Sequence, residues 1–301
     1  MLAKLTELLS DRIGSINQRP DILFPKNFAV SPKKQFVMRV RATFICFKSN
    51  NEGTGMTIRF TTFTSEAPKR LTKHITLQDG ALVTEAGGYM TRGMYVVDEC
   101  ANISEFGDHI ASLRTNQALS YGLPKGAEMG MVVTRAVYEA LPVEQREGRI
   151  ARINDHFEWP DGPGIFMIDI DPPKDASALT KSEAINLIRG VAPELKDVPM
   201  LWYPSSSSMI YADDGTEMSG LRGQRFYVPV TDAKQIPEFA EHLWVRCWAA
   251  GHGYIAISKS GSILKRTIFD KSVYQPSRLD FAAGASTGPH LIQRRGQPEV
   301  V

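Results

Sequence analysis

The sequence predicts an α+β protein in two parts, an N-terminal α/β module over residues 1–150 and a second module of β-α-β-β-α-β order over 151–301. Three observations carry that expectation. Four apolar residues in a row, Ile165 to Ile168, followed by two acids and stopped at Pro172-Pro173, read as a buried strand. Two amphipathic helix patterns follow, each opened by a capping residue. Short β-rich runs separate them. The polar stretch from Glu144 to Pro163, punctuated by Gly and Pro, divides the two parts.

Taken in order, residues 1 to about 35 read as a short amphipathic helix and a loop holding Pro20, Pro25 and Pro32. From Gln35 to Thr62, FVMRVRATFICF and MTIRFTTFT read as two strands around the polar turn Lys48–Gly53. Lys69, Arg70, Lys73 and His74 make a local basic cluster of the kind that protects a solvated sheet edge. The glycines between Gly87 and Gly93 read as a turn, because no Gly-Lys-Ser/Thr follows to make a phosphate loop. A helix is expected from Thr134 to Gln145.

In the second part, Ile165-Phe-Met-Ile168 is an unbroken apolar run, the mark of a strand covered on both faces. Thr180-Lys-Ser-Glu183 is a capping-box pattern, and Ala184, Leu187, Ile188 and Val191 then fall on one helix face. A strand is expected from Pro199 to Tyr211, a turn at Asp213-Asp214-Gly215, and a strand from Arg225 to Val230. Asp232 caps a helix with the face Ile236, Phe239, Ala240, Leu243 and Cys247, which Gly251 and Gly253 close. Tyr254–Ser258 is the last strand. This order is the split βαβ arrangement shared by ferredoxin-like and RNA-recognition-motif folds.

The chemistry gathers at the first of these strands. Side chains at i and i+2 share a face, so Asp169 and Asp171 point the same way, ~7 Å apart. Carboxylates that close repel unless a cation lies between them, and hard divalent ions such as Mg²⁺ or Mn²⁺ prefer such oxygens. A polar strand end running into a turn is the plainer reading, and both stand on this stretch alone. In the split βαβ order the first and third strands are neighbours, so the acids face Ser219-Gly-Leu-Arg-Gly-Gln-Arg225. Its glycines allow close backbone approach, and its exposed amides and two arginines suit a phosphate chain. A plain hairpin connection is the alternative.

Composition narrows the classes. With 43% apolar and 23% charged residues, the 301-residue chain is that of an ordinary globular protein. A formal charge of +2 means that nucleic-acid affinity has to come from local basic patches. Cys46, Cys100 and Cys247 are odd in number and contain no CxxC pair, which argues against a zinc finger and a disulfide framework. A reducing, cytoplasmic setting is expected. MLAKLTELLSDRI lacks the apolar core of a signal peptide, and no run reaches membrane-spanning length.

These residues resemble a known family. Asp169-Ile-Asp171 resembles the first motif (DxD) of archaeo-eukaryotic-type primases and primase-polymerases, and Ser219–Arg225 is similar to their second motif. Arg278-Leu-Asp280 is similar to the stretch that carries the third acid in the primase small subunit. The resemblance covers roughly residues 150 to 285, with the phage and plasmid branches nearest in pattern. It implies the archaeo-eukaryotic primase fold, an N-terminal α/β module packed on an RNA-recognition-like catalytic module. It also implies two Mg²⁺ or Mn²⁺ ions on Asp169, Asp171 and a third acid, either Asp270, which ends the run Ser262–Phe269, or Asp280. Ser219, Gly220, Arg222, Gly223 and Arg225 are the implied nucleotide-binding residues. Arg225 stands where the family usually has histidine; it grips phosphate bidentately but does not titrate.

The implied partners are single-stranded DNA template, nucleoside triphosphates and a replicative helicase. Lys265, Arg266, Arg294 and Arg295 are basic residues placed to meet a template backbone, or to form a solvated surface. Two other classes compete. One is a non-catalytic nucleic-acid-binding module, for which Phe226-Tyr227 partly supplies the paired aromatics needed. The other is a palm-type nucleotidyl enzyme such as a cyclase, which template dependence separates from a primase. A rolling-circle nicking enzyme is disfavoured, since no His-x-His pair is present.

Overall fold

A strand buried on both faces, Ile58-Arg-Phe-Thr-Thr-Phe63, starts the first sheet, where Ile58, Phe60 and Phe63 are fully buried and Thr61 and Thr62 are buried with them. The computed structural model describes residues 57–172, 177–258 and 260–301, all within a unit spanning 42–301. The expected N-terminal helix, the strand beginning at Gln35 and the turn Lys48–Gly53 lie outside the described residues. The first sheet comprises β1 (Ile58–Ala67), β2 (Arg92–Cys100), β3 (Gln117–Ser120), β4 (Met129–Val133) and β5 (Arg149–Ala151), in the order β3-β1-β2-β4-β5. Helix α1 (Ile103–Ser112) is capped by Asn102, whose side chain accepts the Ser104 and Glu105 N–H groups. The helix turns Phe106 and Ile110 inward. Thr134 caps α2 (Arg135–Ala140), which ends earlier than expected and resumes as a 3₁₀ turn at Val143–Gln145. Pro142 is the reason, because the residue before a proline avoids helical geometry.

The second layer begins at β6 (Gly164–Ile170), followed by α3 (Lys181–Val191), β7 (Leu201–Pro204), β8 (Gln224–Val230), α4 (Ile236–Ala249), β9 (Gly253–Ile257), β10 (Ile263–Thr267) and β11 (Glu299–Val300). Its sheet has the order β6-β8-β7-β11. Because β8 is antiparallel to both neighbours, β6 and β7 run parallel with β8 between them, a split βαβ unit with α3 as its crossover. The capping box of α3 forms as the sequence predicts. Phe166, Ile168, Phe226 and Val228 cover one face of the sheet against α3 and α4. Ile165, Met167, Leu201 and Tyr227 cover the other, with Ile58, Phe60 and Phe106. Each such side chain contributes roughly 1.5–3 kcal/mol by burial. This double coverage accounts for the unbroken apolar run of β6. The molecule is α+β.

Two expectations are corrected. The strand predicted from Pro199 to Tyr211 breaks after Pro204. Ser208 Oγ donates to the Gly223 carbonyl and accepts the Arg222 N–H, so the serine run folds into a loop. The chain then joins a separate small sheet at Ile210–Ala212, with Glu217–Ser219 and Leu291–Gln293. The strand predicted at Tyr254–Ser258 does not enter the β6 sheet; β9 pairs with β10 as a hairpin. A partner only a few residues away closes at low entropic cost, which favours the local pairing. The free side of β6 is met instead by one bridge, Ile170 to Phe269.

Candidate functional site

Strand register brings the acids and the second motif together. Asp169 on β6 lies directly opposite Arg225 on β8. The Arg225 Nε is 3.5 Å from Asp169 Oδ1, and its Nη1 is 3.1 Å from Asp280 Oδ1 and 2.9 Å from the Phe281 carbonyl it donates to. Asp280, 2% exposed, also accepts the hydroxyls of Tyr121 at 2.5 Å and Tyr227 at 3.0 Å. Its backbone is fixed by paired hydrogen bonds with Leu119 on β3. Burial, reinforced by the Asp280 charge, holds both tyrosines well above the usual phenol range, so they stay donors. Burial lowers the Arg225 pKa, but Asp280 and Asp169 outweigh it and keep the guanidinium charged. Arg225 is thus a strut between two carboxylates.

Asp169 is the perturbed group. Burial pushes its pKa up to about 6; Arg225 opposes the rise, while Asp171, Asp280 and Asp270 add to it. Its Oδ1 is buried without a hydrogen bond. Asp171 follows the strand end and packs against Gly223, where a Cβ would lie 2.2 Å from its Oδ1 and 2.9 Å from Ser205 Oγ. Only glycine leaves the carboxylate where it is. Asp270 reaches the same place from the far end of the chain: its N–H donates to the Asp169 carbonyl at 3.1 Å. Its carboxylate caps Ser272, accepting the N–H and the hydroxyl at 2.9 Å each.

Among the described residues, no three acid, histidine or cysteine side chains converge into a closed metal cage. The donor set nonetheless fits a hard divalent ion. Mg²⁺ is commonly held by one or two carboxylates, with water and substrate phosphate completing its shell. Asp171 at the cleft wall, with Asp169 beside it, supplies that kind of partial shell, and Asp169 Oδ1 also faces the Arg225 Nε at 3.5 Å.

Asp171 also lies on the wall of two clefts. The first, about 460 Å³, carries Lys73, Arg152, Arg225 and Arg278 along with Gly87, Gly88, Tyr89, Ser205 and Ser206. Burial and the Arg278 charge both lower the pKa of Arg152, and its Nε has no hydrogen-bond partner. Two arginines that line one cleft and repel each other mark a place for an anion. Gly87 is required there, since a Cβ would come within 1.7 Å of the Leu71 carbonyl oxygen. The second cleft, about 510 Å³, carries Trp244, Tyr254, Lys265, Arg266, Asp270 and Lys271.

The other sequence candidates divide. Ser219 makes one long contact, 3.4 Å, to the Ser207 carbonyl; Gly220 packs on Glu217, and the Arg222 N–H braces the serine loop. None of these three lines either cleft, whereas Ser205 and Ser206 do. Arg294 stacks on Tyr211. Arg295 is turned inward, donating to the Pro204 and Ala282 carbonyls over the Tyr203 ring. Phe226 and Tyr227 are fully buried, so β8 offers no aromatic pair for stacking bases. Sequence reasoning missed Lys73, Tyr89, Arg152, Arg278 and the serine loop as cleft residues. Four consecutive serines inside an expected strand were a legible turn signal; nothing local marks Arg152.

No family model, curated protein or solved structure matches this chain. Among the described residues no helix is long and apolar enough to cross a membrane.

Proposed function

We propose that the chain is a DNA-dependent nucleotidyltransferase of the archaeo-eukaryotic primase type, a primase or primase-polymerase of the phage or plasmid branch that makes primers on single-stranded DNA. The observation that carries the reading is the strand-end acid pair: Asp171 lies on the wall of two clefts lined by cationic side chains, and Asp169, two residues before it, has a buried Oδ1 that makes no hydrogen bond.

Asp169 and Asp171 are the residues that would hold Mg²⁺ or Mn²⁺. Bound divalent ions supply activation of a primer 3′-hydroxyl and charge neutralisation on the leaving pyrophosphate. Arg152, Arg278 and Lys73 balance the charge of an incoming triphosphate in the smaller cleft, and the Ser205 and Ser206 hydroxyls line its bed. Tyr89, 88% exposed at that cleft, is placed to stack on the base. Arg225 orients Asp169 and lowers the cost of its negative charge. Asp270 is the better third acid, because the Asp280 oxygens already hold two tyrosines and Arg225.

A second reading is a non-catalytic binding module, favoured by Arg225, whose permanent charge sits 3.5 Å from the acid that a metal ion needs. Primer synthesis on single-stranded DNA with labelled nucleotides and Mn²⁺ or Mg²⁺ separates the two. Template-dependent product that disappears in Asp169→Ala/Asp171→Ala supports the enzyme. No product from the wild type, with DNA binding retained, overturns it in favour of the module.

A further inference from the structure

The β9–β10 hairpin stands apart from every other sheet, its two strands pairing only with each other. An isolated two-stranded ribbon is marginal in water, so its root has to be anchored. Gly253 provides the anchor: without a side chain it lets the Trp248 ring lie on the strand, where a Cβ would come within 2.2 Å. Beyond the root the ribbon is unusually apolar for a surface. Ile255 is 55%, Ile257 75% and Ile263 71% exposed, and Ile257 pairs directly with Ile263. Register sets Tyr254 opposite Arg266 on one face of the ribbon and Ile255 opposite Lys265 on the other, so each face carries one apolar or aromatic side chain beside a cation.

Charge separates this surface from an ordinary apolar patch. Lys265 and Arg266 are exposed and enter no ion pair among the described residues, whereas Lys271 is engaged by Glu241 and the Trp244 ring. Tyr254, Lys265, Arg266 and Trp244 all line the larger cleft, at whose wall Asp171 lies. Aromatic faces alternating with free cations beside a groove are the chemistry that holds single-stranded nucleic acid, bases stacking on rings and phosphates meeting Lys and Arg.

We infer that the β9–β10 hairpin and Trp244 form the track along which one nucleic-acid strand runs toward Asp171. The inference deepens the nucleotidyltransferase reading by naming the strand-binding surface of that site, and rests on it for the strand's destination. Two free cations on the ribbon favour a polyanion over an apolar protein partner.

The test is fluorescence anisotropy of a labelled oligothymidylate against the full chain at several salt concentrations, without nucleotide. Tyr254→Ala is expected to weaken binding by roughly tenfold through lost stacking. Lys265→Ala/Arg266→Ala is expected to lower the salt dependence by about 1.4 in log–log slope, two phosphate contacts at ~0.7 each. Unchanged affinity and slope in both hairpin variants, with melting curves like the wild type's, overturn the inference. So does weakening with no change of slope in the double-cation variant, which marks a structural effect. An Ile257→Ser/Ile263→Ser variant that binds the strand normally but loses self-association assigns the ribbon to a second copy of the chain and also overturns it. Strand binding lost in the hairpin variants of a protein that makes no primer leaves the track standing while the enzyme reading fails.

Discussion

Asp270 and Asp280 are the same residue type in the same stretch of chain, and their surroundings give them opposite characters. Asp280 is sealed, with one oxygen on Tyr121 and Tyr227 and the other toward Arg225. Asp270 lines an open cleft, and its backbone is tied to Asp169, its side chain only to the adjacent Ser272. A buried carboxylate that accepts two hydroxyls and faces a guanidinium holds a fold together; one at a cleft wall, beside other acids, is available to a ligand. Burial and partners, rather than residue type, set the role.

The largest effect is expected at the acids themselves. Asp169→Asn/Asp171→Asn is expected to lower template-dependent incorporation by about 10⁴-fold, with a circular-dichroism spectrum like the wild type's. Synthesis within tenfold of wild type removes these residues from the site. Asp280→Ala comes next: leaving Arg225 and two tyrosines without their acceptor is expected to cost about 3–5 kcal/mol in urea unfolding. Asp270→Ala, which removes only a short cap, is expected to cost about 1 kcal/mol by the same measurement. Equal losses from the two variants collapse the distinction.

Asp169 adds a pH signature. Its folded pKa of about 6 lies above the unfolded carboxylate value, so the folded state binds the proton more tightly. Stability from this group is therefore full below about pH 4 and is lost as pH rises to about 6, a change on the order of 3 kcal/mol. Asp169→Asn is expected to flatten that slope in metal-free unfolding curves taken from pH 4 to 7. The smallest effect sharpens the geometry: Gly223→Ala pushes the Asp171 carboxylate aside and is expected to reduce synthesis about tenfold with little change in melting temperature. An unaltered rate indicates that the position of Asp171 is not used.

Local pattern alone specified much of this protein. The apolar run ended by Pro172-Pro173 set β6, Thr180-Lys-Ser-Glu183 set the start of α3, and the Ile236–Cys247 periodicity set the buried face of α4. Each depends on neighbours within a few residues, which is why a linear reading reaches them. It also reached the pairing of β6 with β8 that sets Asp169 against Arg225. Tertiary structure decided the rest. The difference in surroundings between Asp270 and Asp280 comes from Tyr121 and Leu119, more than 150 residues from Asp280 along the chain. The smaller cleft is walled by Lys73, Gly87, Arg152, Ser205 and Arg278, which share no periodicity and meet only when the two sheets pack. Position 253 to 258 went to a hairpin rather than the sheet because pairing is a competition among strands, which no single strand's composition resolves.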